Sequence, residues 1–302
     1  MSRENSLAAN PAMASAQEPG VATALLRLSK PGIVLAEVLT GLAGMLLAAP
    51  LPPAPTVICP VLAAIALAAA GAAMLNNVLD AAVDRQMLRL APRSRALQLA
   101  GSGRVLIIAL LLMVGGMALA AMTAPPLALL LLAAGCFSYI WLYTAWLKRH
   151  SPWGVLAGGI PGALPPLIGS AAVSGTVSEQ PLLLALLVFV WQLPHFWLLA
   201  LECRDQYAQA GIPVLPVTHG DYLTRVLTLT TTALLLPITC AIWLRGSLSS
   251  GYLTVSCGAG IIFLLFCARC LFQTHDYRQG FRASLTYLVV IFGVICVESF
   301  LR

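Results

Sequence analysis

The 302 residues are 60% apolar and only 9% charged, with a mean hydropathy of +0.90. A water-soluble chain carries roughly a quarter charged residues, so a soluble globule is excluded and lipid is the solvent for most of this surface. The net charge of +6 sits in short loops between apolar runs, which excludes nucleic acid as a partner.

In chain order, residues 1–28 read as a polar tail; its opening MSRENSLAANPAMASAQEPG lacks the apolar core of a secretion signal. Residues 29–302 read as a single all-α transmembrane domain. Apolar runs fall near 32–50, 57–80, 104–122, 125–146, 155–176, 182–202, 226–244, 251–270 and 283–301, each close to the roughly 20 residues a membrane helix needs. This predicts a polytopic bundle of nine spans. Pro125-Pro126 makes a tight turn between spans three and four, and Pro165-Pro166 is expected to break or bend span five. With the N-terminus inside, fifteen Lys and Arg fall on the inner side and only Arg245 and Arg302 outside, as the positive-inside rule requires. The expectation is a multi-pass protein of a bacterial inner membrane with its N-terminus in the cytoplasm. The eight Cys lie mostly inside apolar runs, where thiols act as small hydrophobes.

Span two ends in NNVLDAAVDRQMLRLAPR. On a continuous helix Asn76, Asp80 and Asp84 recur every four residues and share a face. Carboxylates at a membrane surface are expensive and are kept for a partner or an ion. This oxygen set suits Mg²⁺, which takes a few carboxylates plus the phosphates of a substrate. Arg85, Arg89 and Arg93 follow and suit phosphate oxygens. The alternative is an ordinary helix end in which the two Asp pair with Arg85 or Arg89.

Span four ends with Tyr139 and Tyr143 on one face, followed by Lys148 and Arg149, placed to clamp an anion or simply to serve as inner-side charges below an aromatic belt. Gly158, Gly159 and Gly162 permit close helix approach in span five. Span six carries Trp191, His195, Phe196 and Trp197, then Glu202 and Asp205, three apart at its end. These two acids with Asp80 and Asp84 are the expected metal ligands, holding a diphosphate through Mg²⁺ while a lipid tail runs into the bundle. His195 reads either as a contact to a polar or metal-bearing substrate or as a hydrogen-bond partner of a neighbouring helix. The Trp residues read first as interface anchors. Glu37, inside span one, stands apart from the acidic groups of the inner side and has no assigned role.

These stretches resemble the protoheme IX farnesyltransferases, the haem-specific branch of the UbiA prenyltransferase superfamily. The resemblance runs from Lys30-Pro31 through Asn76-Asn77-x-x-Asp80-x-x-x-Asp84-x-x-Met87-x-Arg89 and Tyr143-Thr144-x-x-Leu147-Lys148-Arg149. It continues through Gly158-Gly159-x-x-Gly162-Ala163-x-Pro165-Pro166 and Trp191-Gln192-x-Pro194-His195-Phe196 to Tyr207-x-x-Ala210-Gly211-Ile212-Pro213.

What the resemblance implies is a UbiA-type fold and transfer of a farnesyl group from farnesyl diphosphate to a vinyl carbon of haem B. Water is added, and haem O and diphosphate leave. Mg²⁺ is the implied cofactor, with haem B a substrate. The implied reacting-site residues are Asn76, Asp80, Asp84, Arg89, Lys148, Arg149 and Asp205, with Tyr139, Tyr143, Trp191 and His195 facing the acceptor. Membrane lipid, haem A synthase and terminal-oxidase assembly proteins are the implied partners. The family pattern has Asp at the positions of Ala82 and Gln206, so Mg²⁺ is expected to bind less tightly than with both restored. A catalytically weakened paralogue that handles haem or assists oxidase assembly, and a UbiA-type enzyme with another acceptor, are the alternatives.

Overall fold

The computed structural model describes residues 20–246 and 248–301. Among them nine helical stretches are long and apolar enough to cross a membrane, and all regular structure is helical. Most of the expected tail, residues 1–19, lies outside the described residues. Its last part does not: Val21–Leu28 form helix α1, whose Ala24 and Leu28 are buried. The tail reading to residue 28 is therefore shortened, because these two side chains pack against Leu97, Ala100 and Val105.

Proline at the first helical turn starts several spans, where its missing N–H costs nothing and its fixed φ suits the helix. Pro31 opens α2 (Pro31–Ala48), Pro55 opens α3 (Pro55–Leu79), and Pro126 opens α7 (Pro126–Phe137). Between them come a single turn α4 (Ala81–Asp84), a short helix α5 (Ala91–Ala100) and α6 (Ser102–Thr123), which runs along α3. The span begun by α7 continues as a π-helix over Ser138–Leu147 and closes in α8 (Lys148–His150). Span five is broken as expected: α9 (Gly154–Ala163) stops before Pro165, and α10 (Pro165–Ser174) starts there.

α11 (Glu179–Glu202) is one of the two best-buried spans, with span five; α12 (Arg204–Gln209) and α13 (Leu215–Thr218) form the loop after it. α14 (Asp221–Leu244), α15 (Ser250–Arg269) with its π-helical end Cys270–Thr274, and α16 (Tyr277–Phe300) complete the bundle. One core cluster joins Leu187, Trp191 and Leu198 of α11 to Leu235, Phe263 and Ile291. A second joins Met45, Ile65, Leu132 and Ile168 around α2, α3, α7 and α10.

With lipid outside, every backbone and hydroxyl group needs an internal partner. Thr228, Thr232 and Thr239 of α14 meet this by donating to carbonyls four residues earlier, at 2.6, 2.8 and 2.8 Å. α2 and α10 touch backbone to backbone. A Cβ on Gly44 would lie 2.2 Å from Pro166 O, and one on Gly169 2.2 Å from Gly41 O. Small residues at such a crossing are the usual means of close packing between membrane helices.

Candidate active site

The loops and helix ends at one end of the bundle bring Lys30, Asn76, Asp80, Asp84, Arg93, Lys148 and Arg149 together. α3 ends just before Asp80, whose φ of −89° and ψ of 1° depart from the helix, but the four-residue bonding continues across it: its N–H donates to Asn76 O at 2.9 Å and its carbonyl accepts from Asp84 N at 2.8 Å. The expected shared face therefore forms. Asn76, Asp80 and Asp84 are only 4%, 1% and 3% exposed, whereas Ala82 is exposed.

The ion partners differ from the local pairing that spacing suggested. Asp80 Oδ2 pairs with Lys148 Nζ, and Asp80 Oδ1 lies 3.4 Å from Arg149 Nη2. Asp84 Oδ2 meets Arg93 Nη1 at 3.5 Å. Arg85 turns back to donate to Ala81 O at 3.1 Å. Arg89 points to α12: its guanidinium reaches Tyr207 Oη at 3.2 Å, and its backbone N–H donates to Gln206 Oε1 at 3.1 Å. The buried carboxylates face the bundle, so Asp80 meets cations from the end of span four and Asp84 meets Arg93 of α5, in place of the adjacent Arg85 and Arg89.

Lys30 is the site residue that the motif reading left out, although Lys30-Pro31 opens the family resemblance. Its ammonium donates to Asn76 Oδ1 at 2.6 Å and to Tyr139 Oη at 3.4 Å. Its backbone is left-handed, with φ of 52°, an arrangement that costs a non-glycine residue on the order of 1 kcal/mol or more. Burial first, and then the positive charges of Arg93 and Lys148, bring the Lys30 ammonium down to about 7. Burial pushes the Asp84 carboxyl up from its ordinary range, with Arg93 and Lys148 opposing. Lys30, Arg93, Lys148 and the exposed Arg149 thus surround two buried carboxylates, an excess of basic groups that favours a multiply charged anion.

Asn76 also donates to Asp80 Oδ2 at 2.8 Å and to Thr144 Oγ1 at 3.0 Å. Thr144 belongs to the π-helical stretch, which also carries Tyr139 and Tyr143, stacked with ring centroids 6.0 Å apart. π-Helical turns concentrate at functional sites, and here one aims three polar side chains at one end of the bundle. Gly158 leaves room for the Tyr143 ring, since a Cβ there would lie 2.9 Å from it. A small cleft of about 30 Å³ between Tyr143, Lys148, Phe196 and Tyr207 joins α12 to this corner. Beneath the corner a cavity of about 190 Å³ opens into the bundle, lined by Tyr139, Ala72, Ala73 and Gly162 among others.

Glu202 and Asp205 do not join the cluster as expected. α11 ends at Glu202, Cys203 leaves the helix with φ −108° and ψ 22°, and α12 begins at Arg204. Glu202 thus closes α11 while Asp205 lies in the first turn of α12, and both side chains are exposed, not turned into the buried corner with Asp80 and Asp84. Among the described residues no three His, Cys, Asp or Glu side chains gather at metal-ligand spacing, so the four-carboxylate ligand set is not assembled. Asp80, Asp84 and Asn76 still fit Mg²⁺ as a partial shell: hard oxygens on successive turns, with phosphate oxygens of a substrate completing it.

His195 is covered on both faces, by Trp191 at 4.6 Å and Phe281 at 4.3 Å between ring centroids. Ser284 Oγ lies 2.7 Å from His195 Nδ1 and itself donates to Phe281 O at 2.6 Å. With the Ser284 hydroxyl proton directed to Phe281 O, Nδ1 is the donor of that contact. Trp191 is buried, with its N–H donated to Ser284 O at 2.8 Å. It and Trp197, only 2% exposed, are core residues and not the interface anchors that their position suggested.

Comparison with known proteins agrees with this architecture. The model of the UbiA prenyltransferase family matches residues 38–291. A protoheme IX farnesyltransferase of Geotalea uraniireducens is 42% identical over 237 residues, 78% of this chain and 92% of that protein. Among solved structures, a digeranylgeranylglyceryl phosphate synthase superposes with a TM-score of 0.76 at 15% identity, covering 93% of this chain and 99% of the other. A UbiA homolog from Archaeoglobus fulgidus bound to GPP and Mg²⁺ gives 0.68 at 16% identity, covering 90% and 99%.

Proposed function

The chain belongs to the UbiA prenyltransferase family, and we propose that it transfers a farnesyl group from farnesyl diphosphate to a vinyl group of haem B, with addition of water, to give haem O and diphosphate. The relative from Geotalea supports the acceptor and the prenyl donor. The observation that carries the chemistry is the corner in which Lys30, Lys148, Arg149 and Arg93 surround the buried Asp80 and Asp84 above an apolar cavity.

In this reading Asp80, Asp84 and Asn76 hold Mg²⁺, which supplies charge neutralisation to the leaving diphosphate. Lys30, Arg93, Lys148 and Arg149 bind phosphate oxygens, and Arg89 closes the corner from the α12 side through Tyr207. The cations are set before substrate arrives, so they stabilise charge as it develops on the leaving oxygen without reorganising. The cavity receives the isoprenoid and keeps water scarce around the allylic carbon. Glu202 and Asp205, exposed at the end of α11 and the start of α12, remain candidates to approach the diphosphate from outside.

We assign the polar end to the cytoplasm of a bacterial inner membrane, on the fifteen-to-two distribution of basic residues. Haem A synthase and terminal-oxidase assembly proteins are the protein partners that this product implies. The test is pigment analysis of membranes from a host lacking its own haem O synthase. Haem O appearing with this chain, and not with an Asp80→Asn, Asp84→Asn double variant, supports the reading. Its absence from correctly inserted protein favours the haem-handling alternative.

A further inference from the structure

The cavity beneath the polar corner holds a carboxyl group that diphosphate chemistry does not use. Glu37 lies on α2, seven residues and about two turns beyond Lys30, and lines the cavity of about 190 Å³ whose apolar walls include Ala72, Leu132 and Ile168. Glu37 has no hydrogen-bond or ion-pair partner among the described residues. An unpartnered carboxyl inside a membrane bundle opposes folding, so stability does not account for it. Two other polar side chains share the cavity. Gln192 donates its amide N–H groups to Gly159 O and Val188 O, at 3.0 and 3.3 Å, which leaves its oxygen free to accept. Tyr139 Oη, 3.4 Å from Lys30 Nζ, connects the cavity to the polar corner. A water needs two to four polar partners to settle in such a space, and Glu37, Gln192 and Tyr139 are polar side chains that line it.

We infer that Glu37 is the proton acceptor for the water that completes the product. The inference rests on the haem farnesylation proposed above. As the allylic carbon–oxygen bond breaks, the electron pair leaves with diphosphate and the vinyl π electrons form the new carbon–carbon bond. Positive charge then rests on the vinyl carbon attached to the porphyrin. The water oxygen bonds to that carbon, and its surplus proton passes to the Glu37 carboxylate. Haem B, farnesyl diphosphate and water give haem O, diphosphate and one proton, with no oxidant or reductant. Without an acceptor the same cation loses a carbon-bound proton instead and yields an alkene.

The experiment compares the full-length wild type with Glu37→Gln and Glu37→Asp in purified form, given haem B, farnesyl diphosphate and Mg²⁺. Diphosphate release is followed alongside mass spectrometry of the haem products. Glutamine keeps the shape and removes the basicity, and a positioned general base contributes about 10²–10⁴-fold. Glu37→Gln is expected to farnesylate haem still, with the ratio of haem O to the product one water lighter falling by about tenfold or more. Glu37→Asp is expected to recover part of the alcohol. An unchanged product ratio in Glu37→Gln overturns the inference alone. So does a parallel loss of diphosphate release and haem O with no lighter product, which puts Glu37 in binding or ionisation. A wild type that forms no farnesylated haem defeats the underlying function and this inference with it.

Discussion

Gln206 Oε1 accepts the backbone N–H of Arg89 at 3.1 Å, so an amide that replaces an expected carboxylate ties α12 to the chain segment following α4. The guanidinium of the same Arg89 lies over Tyr207, 5.9 Å from the ring centroid. A carboxylate at 206 keeps an acceptor for that N–H and adds a negative charge near the corner. Gln206→Asp is therefore expected to lower the Mg²⁺ concentration that gives half-maximal haem O formation. Ala82 is exposed while Asp80 and Asp84 are buried, because two residues turn a helix by about 200°. Ala82→Asp is expected to change that Mg²⁺ requirement by less than about twofold, against a change severalfold larger for Gln206→Asp. A Mg²⁺ titration of both variants checks this; equal effects would mean that position 82 reaches the diphosphate directly.

Asp80 and Asp84 differ in their partners, and their variants should differ accordingly. Asp80 holds Lys148 and Arg149, so Asp80→Asn both removes an oxygen charge and releases two cations. Asp84 has the single contact to Arg93. Each change is expected to lower turnover by about 10²–10³, the usual loss when one electrostatic stabiliser is removed. Asp80→Asn is also expected to raise the KM for farnesyl diphosphate, because the freed Lys148 and Arg149 are no longer held in place. Steady-state rates on protein that elutes as a single folded species are the measurement. Near-normal turnover in both variants would remove the two acids from the chemistry.

The spans and the acidic face were legible in the sequence, since apolar length and four-residue spacing are local properties. The break at Pro165 was legible for the same reason. The partners of those acids were not. Spacing offers Arg85 or Arg89 to Asp80 and Asp84 only as the alternative to a diphosphate site, and Lys148 and Arg149, read as an anion clamp, reach Asp80 from a span more than sixty residues away. Glu202 and Asp205 show the opposite error. Their spacing was read as one helix, and the chain leaves the helix at Cys203 between them. The left-handed Lys30 and the π-helix over Ser138–Leu147 had no local signal at all, because contacts with α3 hold both.

Membrane orientation has a direct test. Reporter fusions after residue 100 and after residue 215 are expected to read cytoplasmic, and one after residue 248 periplasmic. In a bundle of nine spans the first two positions lie on the end that holds Asp80 and Lys148, and the third on the opposite end. Reversed signals would put the diphosphate-binding corner on the outer face, away from any cytoplasmic supply of substrate.

The crossing of α2 and α10 links stability to the site. A Cβ on Gly44 would lie 2.2 Å from Pro166 O and 2.5 Å from Pro166 Cα, both backbone atoms. Neither can rotate aside, so the helices must separate. Overpacking of this kind costs about 1–3 kcal/mol, and Gly44→Ala is expected to lower the apparent melting temperature in detergent by several degrees. Gly103→Ala, on α6 with nothing within 4 Å of its Cβ, is the matched control and is expected to hold or slightly raise it, since alanine is the better helix former. The consequence extends to chemistry because α2 also carries Glu37, and Lys30 caps its first turn. Moving α2 off α10 widens the cavity between them and admits water before the carbon–carbon bond forms. Gly44→Ala is therefore expected to release free farnesol, from capture of the allylic cation by water, at the expense of haem O. Lipid extraction and quantification of farnesol against haem O in the same reaction measures that partition. A destabilised variant with an unaltered partition would show that the crossing supports the fold without shaping the cavity.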